Sequence, residues 1–218
     1  MSPRPYQLGR REPAVHENRG RILAAAREIL SRPGRMAHFT VESVALRAGV
    51  ARATVYYQFK SKSGLVEAIF DDLAARGGLR GLPEAFGRPD PWQALDEFIA
   101  IFCRFWASDR IVIRRLRAQA ALDPELEKVA RDPRRRQGLA AILGRMGSAA
   151  PERVEPLLVL TSFETYDALA TDDRSREQVA ALIQWLARTV LQAAQPSASA
   201  SSAPRSRAGA PGPRARSG

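Results

Sequence analysis

Residues 40–62 read TVESVALRAGVARATVYYQFKSK. Thr40 suits the N-cap of a short helix ending near Ala48, and Gly49 supplies the turn after it. A second short helix is expected from about Ala51 to Gln58. Two short helices joined by a glycine turn pack closely only under certain conditions. They need a small residue at the crossing and apolar residues pinning both helices inward. Ala45, Gly49 and Val55 occupy those places, with Val44, Ala48 and Val50 filling around them. The spacing is that of a helix-turn-helix, although short helical pairs without a nucleic-acid role share it.

The second helix favours the nucleic-acid reading. With Val50 and Val55 inward, Arg52, Ala53, Thr54, Tyr56 and Tyr57 are left largely outward. Two adjacent aromatics are unusual on a merely solvated face. In a major groove they can hydrogen-bond phosphates and touch thymine methyls. Arg52 near the helix start has the reach for guanine O6 and N7. Lys62 opens the next helix, where an ammonium and free backbone N–H groups can meet one phosphate. The structural alternative for the tyrosines is packing against the preceding helix, and it fits part of Tyr56.

Charge agrees with this placement. The 218 residues carry a formal +11, from 34 Lys+Arg against 23 Asp+Glu. Residues 1–62 hold +8 and residues 195–218 hold +4, which leaves −1 for the middle. A near-neutral body with a basic end points to a polyanion-binding module joined to something else. One Cys in the chain excludes a disulfide framework or a thiolate zinc site. No apolar run approaches the ~18 residues of a membrane span, and MSPRPYQLGRREP lacks a signal-peptide core. The expectation is a cytoplasmic protein with no membrane partner.

Outward from the motif, residues 1–14 read as a flexible basic arm, with Arg4, Arg10 and Arg11 placed to enter a minor groove. Helical patterning starts near Glu17, with Ile22, Ala26, Ile29 and Leu30 on one face. Ser61 can cap a further helix carrying Leu65, Val66, Ile69, Phe70 and Leu73 inward. The helix-turn-helix domain is therefore expected over 15–76, and the Gly/Pro-rich 77–91 reads as a connection. Residues 92–194 read as all helix. Leu95, Phe98, Ile99, Phe102, Phe105 and Trp106 share one face of a helix ending near Ser108. A helix over 125–147 must kink or break at Pro133. Residues 151–171 read as one helix that is apolar around most of its circumference. Residues 174–194 carry Val179, Leu182, Ile183, Leu186 and Val190 on one face, with Trp185 and Leu191 off it. From Gln195 the Ser/Ala/Pro/Gly/Arg composition reads as a disordered basic tail.

Residues 40–65, TVESVALRAGVARATVYYQFKSKSGL, resemble the signature of the TetR family of bacterial transcriptional regulators. The elements are Thr at the helix start, the Ala…Ala-Gly-Val turn, T-V-Y-Y-Q-F and S-K-x-x-L. The preceding RGRILAAAREIL is similar to the family's first helix, so the resemblance covers about 17–75. It implies an all-α fold: an N-terminal three-helix helix-turn-helix domain plus a C-terminal helical ligand-binding and dimerisation bundle. It implies a homodimer on a double-stranded operator, released by a small-molecule effector, with repression as the default. By position, Arg52, Ala53 and Tyr57 would face bases, while Thr40, Tyr56, Gln58 and Lys62 would contact phosphates. One departure is Ser63-Gly64 where the family often has an acidic residue after the lysine. A glycine in a first helical turn costs roughly 0.5–1 kcal/mol, so a weak helix start is expected there.

Three further expectations concern the body. A two-fold pair built from 151–171 and 174–194 would bury their surplus apolar surface. Phe98, Phe102, Phe105, Trp106, Ile113, Leu116, Phe163 and Tyr166 are candidates to line a mainly apolar pocket, with Gln119 and Thr161 adding polar groups. The same pattern also suits plain core. Enzyme chemistry is not expected: His16 and His38 lack nucleophilic partners, and Cys103 reads as a buried structural thiol. No cofactor or metal motif occurs. A sequence-independent architectural binder is the rival reading, and it leaves the neutral helical body unexplained.

Overall fold

The computed structural model describes residues 11–32, 39–126 and 133–193, and every regular element among them is helical. Four helices build the N-terminal part: α1 (Arg11–Ser31), α2 (Val41–Ala48), α3 (Arg52–Phe59) and α4 (Lys62–Arg76). The start of α2 is a reciprocal cap. The Thr40 hydroxyl accepts from the Ser43 backbone N–H at 3.1 Å, and the Ser43 hydroxyl accepts from the Thr40 N–H at 3.1 Å. Its end is Gly49 in the left-handed region, φ +63°, with the Val50 N–H closing on the Ala45 carbonyl at 3.0 Å. Arg21 of α1 fastens this turn from below, donating to the Ala48 carbonyl at 2.6 Å and the Gly49 carbonyl at 3.2 Å.

Ile22, Ala26 and Leu30 of α1 meet Val44, Ala45 and Ala48 of α2, Val55 and Phe59 of α3, and Leu65, Val66, Ile69 and Leu73 of α4 in a single core. Ser61 caps α4, its hydroxyl accepting from the Gly64 N–H at 3.0 Å. The weak start expected from Gly64 is not what the geometry gives. A Cβ at this position would fall on the Phe59 carbonyl oxygen. Glycine is what lets the α3–α4 turn close so tightly.

The body follows. The 77–91 stretch is not bare connection: a 3-10 turn at Leu79–Gly81 leads into α5 (Leu82–Gly87), with Pro83 in the first turn. Gly77 ends α4 where a side chain would stand 2.7 Å from the Phe105 ring. Helix α6 (Pro91–Ser108) runs through the middle of the core, capped by Asp90, whose carboxylate accepts from the Trp92 N–H at 2.9 Å. Around it lie α7 (Arg110–Leu122), α8 (Pro133–Arg145), α9 (Pro151–Leu160), α10 (Phe163–Leu169) and α11 (Arg176–Ala193).

Three helix readings change. Helix α1 begins at Arg11 rather than near Glu17, so 11–14 of the expected arm are helical; Arg4 and Arg10 lie outside the described residues, as does the 195–218 tail. The expected break at Pro133 is there, at the start of the helix Pro133–Arg145, in keeping with proline's missing N–H and fixed φ. The expected continuous helix over 151–171 is two. Thr161 turns its hydroxyl back to the Leu157 carbonyl at 2.7 Å, and the Ser162 hydroxyl caps α10 by accepting from the Thr165 N–H at 3.2 Å. Apolar residues on all sides reflected a bend, with each short helix burying its own face. Leu191, expected off the apolar face, is buried, whereas Leu182, Leu186 and Val190 on that face are half-buried.

Candidate nucleic-acid interface

Helix α3 is held from one side only. Val55 and Phe59 are buried against α1, α2 and α4, and the rest of the helix faces out. Arg52 and Ala53 are exposed, Tyr57 is 70% exposed and Tyr56 37%. The three expected base-facing residues thus share the open side of one helix. Tyr56 is half-covered, as the packing alternative requires for part of its ring.

Each expected contact has a place in the free protein. The Arg52 Nε lies 2.8 Å from the Glu42 carboxylate of α2, and its Nη2 donates to the Tyr56 hydroxyl at 3.2 Å. The Tyr56 hydroxyl, then the Glu42 charge, raise the Arg52 pKa further above its ordinary range. Its own backbone N–H in the first turn of α2, and the Arg52 charge, hold the Glu42 carboxyl below the usual range. Thr40 spends its side chain on the α2 cap, and Gln58 donates to the Val15 carbonyl of α1 at 3.0 Å. The Lys62 Nζ is 2.8 Å from the Asp123 carboxylate beyond the end of α7, so the body occupies the ammonium expected to meet phosphate.

Three residues escaped the sequence reading. Lys60 stands at φ +68° after α3, its ammonium on the Tyr57 carbonyl at 3.2 Å and 5.4 Å from that ring's centre. Glu42 and Asp123 face their partners across 10 and 61 residues of chain. No periodic pattern links such pairs. The Arg52–Tyr56 pair is different: it is an i, i+4 neighbour on one helix and was available from spacing alone.

The eight pocket candidates are all buried. Their rings lie against one another along α6 and into α10: Phe98 and Phe102 at 4.7 Å between centres, Phe105 and Trp106 at 4.5 Å, Trp106 and Phe163 at 5.7 Å. The Trp106 indole N–H donates to the Thr161 carbonyl at 3.0 Å, and the Arg135 guanidinium lies 6.0 Å from the indole centre. Burial pushes the Cys103 thiol up to about 12, so it is unreactive near neutrality. Among the described residues no group of three His, Cys, Asp or Glu stands close enough to hold a metal, and no helix is long and apolar enough to cross a membrane.

Residues 22–69 match the family described as bacterial regulatory proteins, tetR family. No curated protein matches the sequence significantly. Solved structures are similar over most of their length. A TetR-like transcriptional regulator from Rhodococcus sp. RHA1 shares 20% identity at a TM-score of 0.57, covering 80% of this chain and 96% of that one. A second transcriptional regulator from the same source shares 24% at 0.58, covering 80% and 96%. A TetR transcription regulator from Haloarcula marismortui shares 19% at 0.58, covering 82% and 98%. At these identities the likeness is one of fold. Residues 22–69 thus carry the helix-turn-helix of the tetR family of bacterial regulatory proteins, on a chain whose all-α fold is like that of these solved regulators.

Proposed function

We propose that this DNA-binding regulator works as a cytoplasmic homodimer on a pseudo-palindromic operator and represses until a mainly apolar small molecule releases it. Residues 15–76 bind DNA and 92–194 dimerise and sense. The observation that carries the reading is α3, pinned by two buried residues and presenting Arg52, Ala53 and Tyr57 together on its open side. A helix held this way can enter a major groove without disturbing the core beneath it. Two of them related by a two-fold axis read half-sites about one helical turn apart.

Dimerisation has surface to use. Val159 on α9 is 64% exposed and Trp185 on α11 is 60% exposed, while Leu182, Leu186 and Val190 lie half-open on α11. Apolar side chains of this size, left out of the core of one chain, suit a helical interface between two. Sensing works through the interior: the aromatic row along α6 fills it, and a ligand must part those rings to enter. Gly77 places the end of α4 directly against Phe105, so parted rings would displace the DNA-binding helices.

Selection from random duplexes tests the DNA reading. Recovery of one inverted repeat is expected; equal binding to all duplexes would leave the architectural rival instead. A thermal-shift screen of apolar compounds, followed by operator titration, tests the sensing. Stabilising compounds should weaken operator binding about 5–150-fold, for a coupling of roughly 1–3 kcal/mol. Compounds that raise the melting temperature and leave operator affinity alone would end that part of the proposal.

A further inference from the structure

We propose that Glu42 on α2 is a specificity-determining residue of the DNA interface, its carboxylate holding one edge of Arg52 so that the other edge is presented to a base. The inference rests on the reading that α3 faces DNA, and it adds a residue from outside α3 to the recognition surface.

Arg52 is the first residue of its helix and is largely exposed, with a long side chain that nothing in α3 itself restrains except Tyr56. Left free, such an arginine samples many rotamers and finds phosphate oxygens, the more abundant contact. Here two groups fix it. Glu42 takes the Nε side at 2.8 Å, and the Tyr56 hydroxyl accepts from Nη2 at 3.2 Å, with the Tyr56 ring centre 5.3 Å from the guanidinium carbon. A guanidinium has five N–H groups in a planar fork. The Nε side lies in the ion pair with Glu42 and one Nη2 N–H goes to the Tyr56 hydroxyl, so the N–H groups left for a base belong to Nη1 and Nη2. Those two nitrogens form the outer edge, whose spacing matches O6 and N7 of guanine.

The charge of Glu42 acts in the same direction. It is exposed, in the first turn of α2, where an acid suits the helix dipole but repels a nearby phosphate. The pair Glu42–Arg52 is neutral, so it contributes little attraction to arbitrary DNA. Selectivity is gained by withdrawing an arginine from generic phosphate binding, at a cost in generic affinity.

The experiment is selection from a pool of duplexes with a random central segment, using the full chain and four variants: Glu42→Gln, Glu42→Asp, Arg52→Ala and the Glu42→Gln/Arg52→Ala double. Glu42→Gln keeps the shape and removes the charge; Glu42→Asp keeps the charge and shortens the reach. Both should lower guanine enrichment at one dyad-related position about five- to tenfold. Glu42→Gln should also bind the unselected pool more tightly, with a salt slope steeper by roughly one counterion. Glu42→Asp should leave pool binding near that of the parent. The double variant should show no loss of preference beyond that of Arg52→Ala. If Glu42→Gln or Glu42→Asp retains full guanine enrichment, Glu42 is only a surface charge and the proposal fails. If Arg52→Ala keeps the parent's base preferences, it is the underlying assignment of Arg52 that fails, and the two failures are read from different variants.

Discussion

At the scale of single residues, two positions carry more than their composition suggests. Arg52 stands where one side chain meets α2, its own helix and solvent. Replacing it with Ala should cost roughly 1–3 kcal/mol of operator binding and relax choice at one base pair per half-site. Competition titrations with single-base operator variants check this; a uniform loss across all sequences would reduce Arg52 to a phosphate contact. Gly64 sets two effects against each other. By helix propensity alone, Gly64→Ala should stabilise by roughly 0.5–1 kcal/mol. The Phe59 carbonyl occupies the place of the new methyl, and backbone gives way less readily than a side-chain end. Destabilisation by about 1–3 kcal/mol is therefore expected, read as a lower melting temperature. A rise would mean that the α3–α4 turn relaxes at little cost.

At the scale of elements, polar ties between helices decide where the short ones sit. Asp167 of α10 accepts from Arg110 and Arg114 of α7, with Arg110 Nε at 2.5 Å and Arg114 Nη2 at 2.7 Å. Burial works to raise the Asp167 pKa, but the Arg114 and Arg110 guanidiniums together hold it below the usual carboxylate range. A carboxylate whose folded pKa is depressed contributes stability above its unfolded value and loses it as pH falls through the folded value. The α7–α10 tie is thus complete at neutral pH and fades only in acid. Asp167→Asn should lower the melting temperature at pH 7 and flatten the acid limb of the stability–pH curve below about pH 4. An unchanged acid limb would show that Asp167 does not set it. The break at Thr161–Ser162 belongs to this scale too. Its cap, Ser162 with Thr165, was present in the sequence but outweighed there by the run of apolar residues around it.

At the scale of the whole molecule, the DNA-binding helices and the body share one continuous core and several polar ties. Arg27 of α1 binds Asp109 at 2.8 Å, Lys62 binds Asp123 at 2.8 Å, and Arg115 of α7 donates to the Leu30 carbonyl at 2.8 Å near the end of α1. Movement of α7 is therefore felt at both ends of the DNA-binding unit. In the proposed dimer, the apolar surface on α9 and α11 is what a second copy would cover. Trp185→Glu places a charge in the middle of that surface without touching the core of one chain. The expected result is a monomer at micromolar concentration by sedimentation, with a helical spectrum like that of the parent. A dimer of undiminished affinity would move the interface elsewhere.

Local chemistry is enough to account for α2, α3 and α4 as elements, and the sequence by itself determined them. A cap at Thr40, a left-handed Gly49, a cap at Ser61 and apolar spacing between them act over a few residues, so α2, α3 and α4 and the outward set Arg52, Ala53 and Tyr57 were legible. Helical spacing also found the buried face of α6. What only the tertiary structure decided are the contacts that close long stretches of chain: Glu42 on Arg52, Arg21 under the Gly49 turn, Asp123 on Lys62. The same holds for the bend between α9 and α10 and for the inward turn of Leu191. A periodic pattern reports which side of a helix is apolar, but not which neighbour covers it. Where apolar residues surround a segment, as in 151–171, periodicity has no phase to report. There the bend at Thr161–Ser162 decides what each short helix buries, Val154 and Leu157 on α9 and Phe163 and Tyr166 on α10.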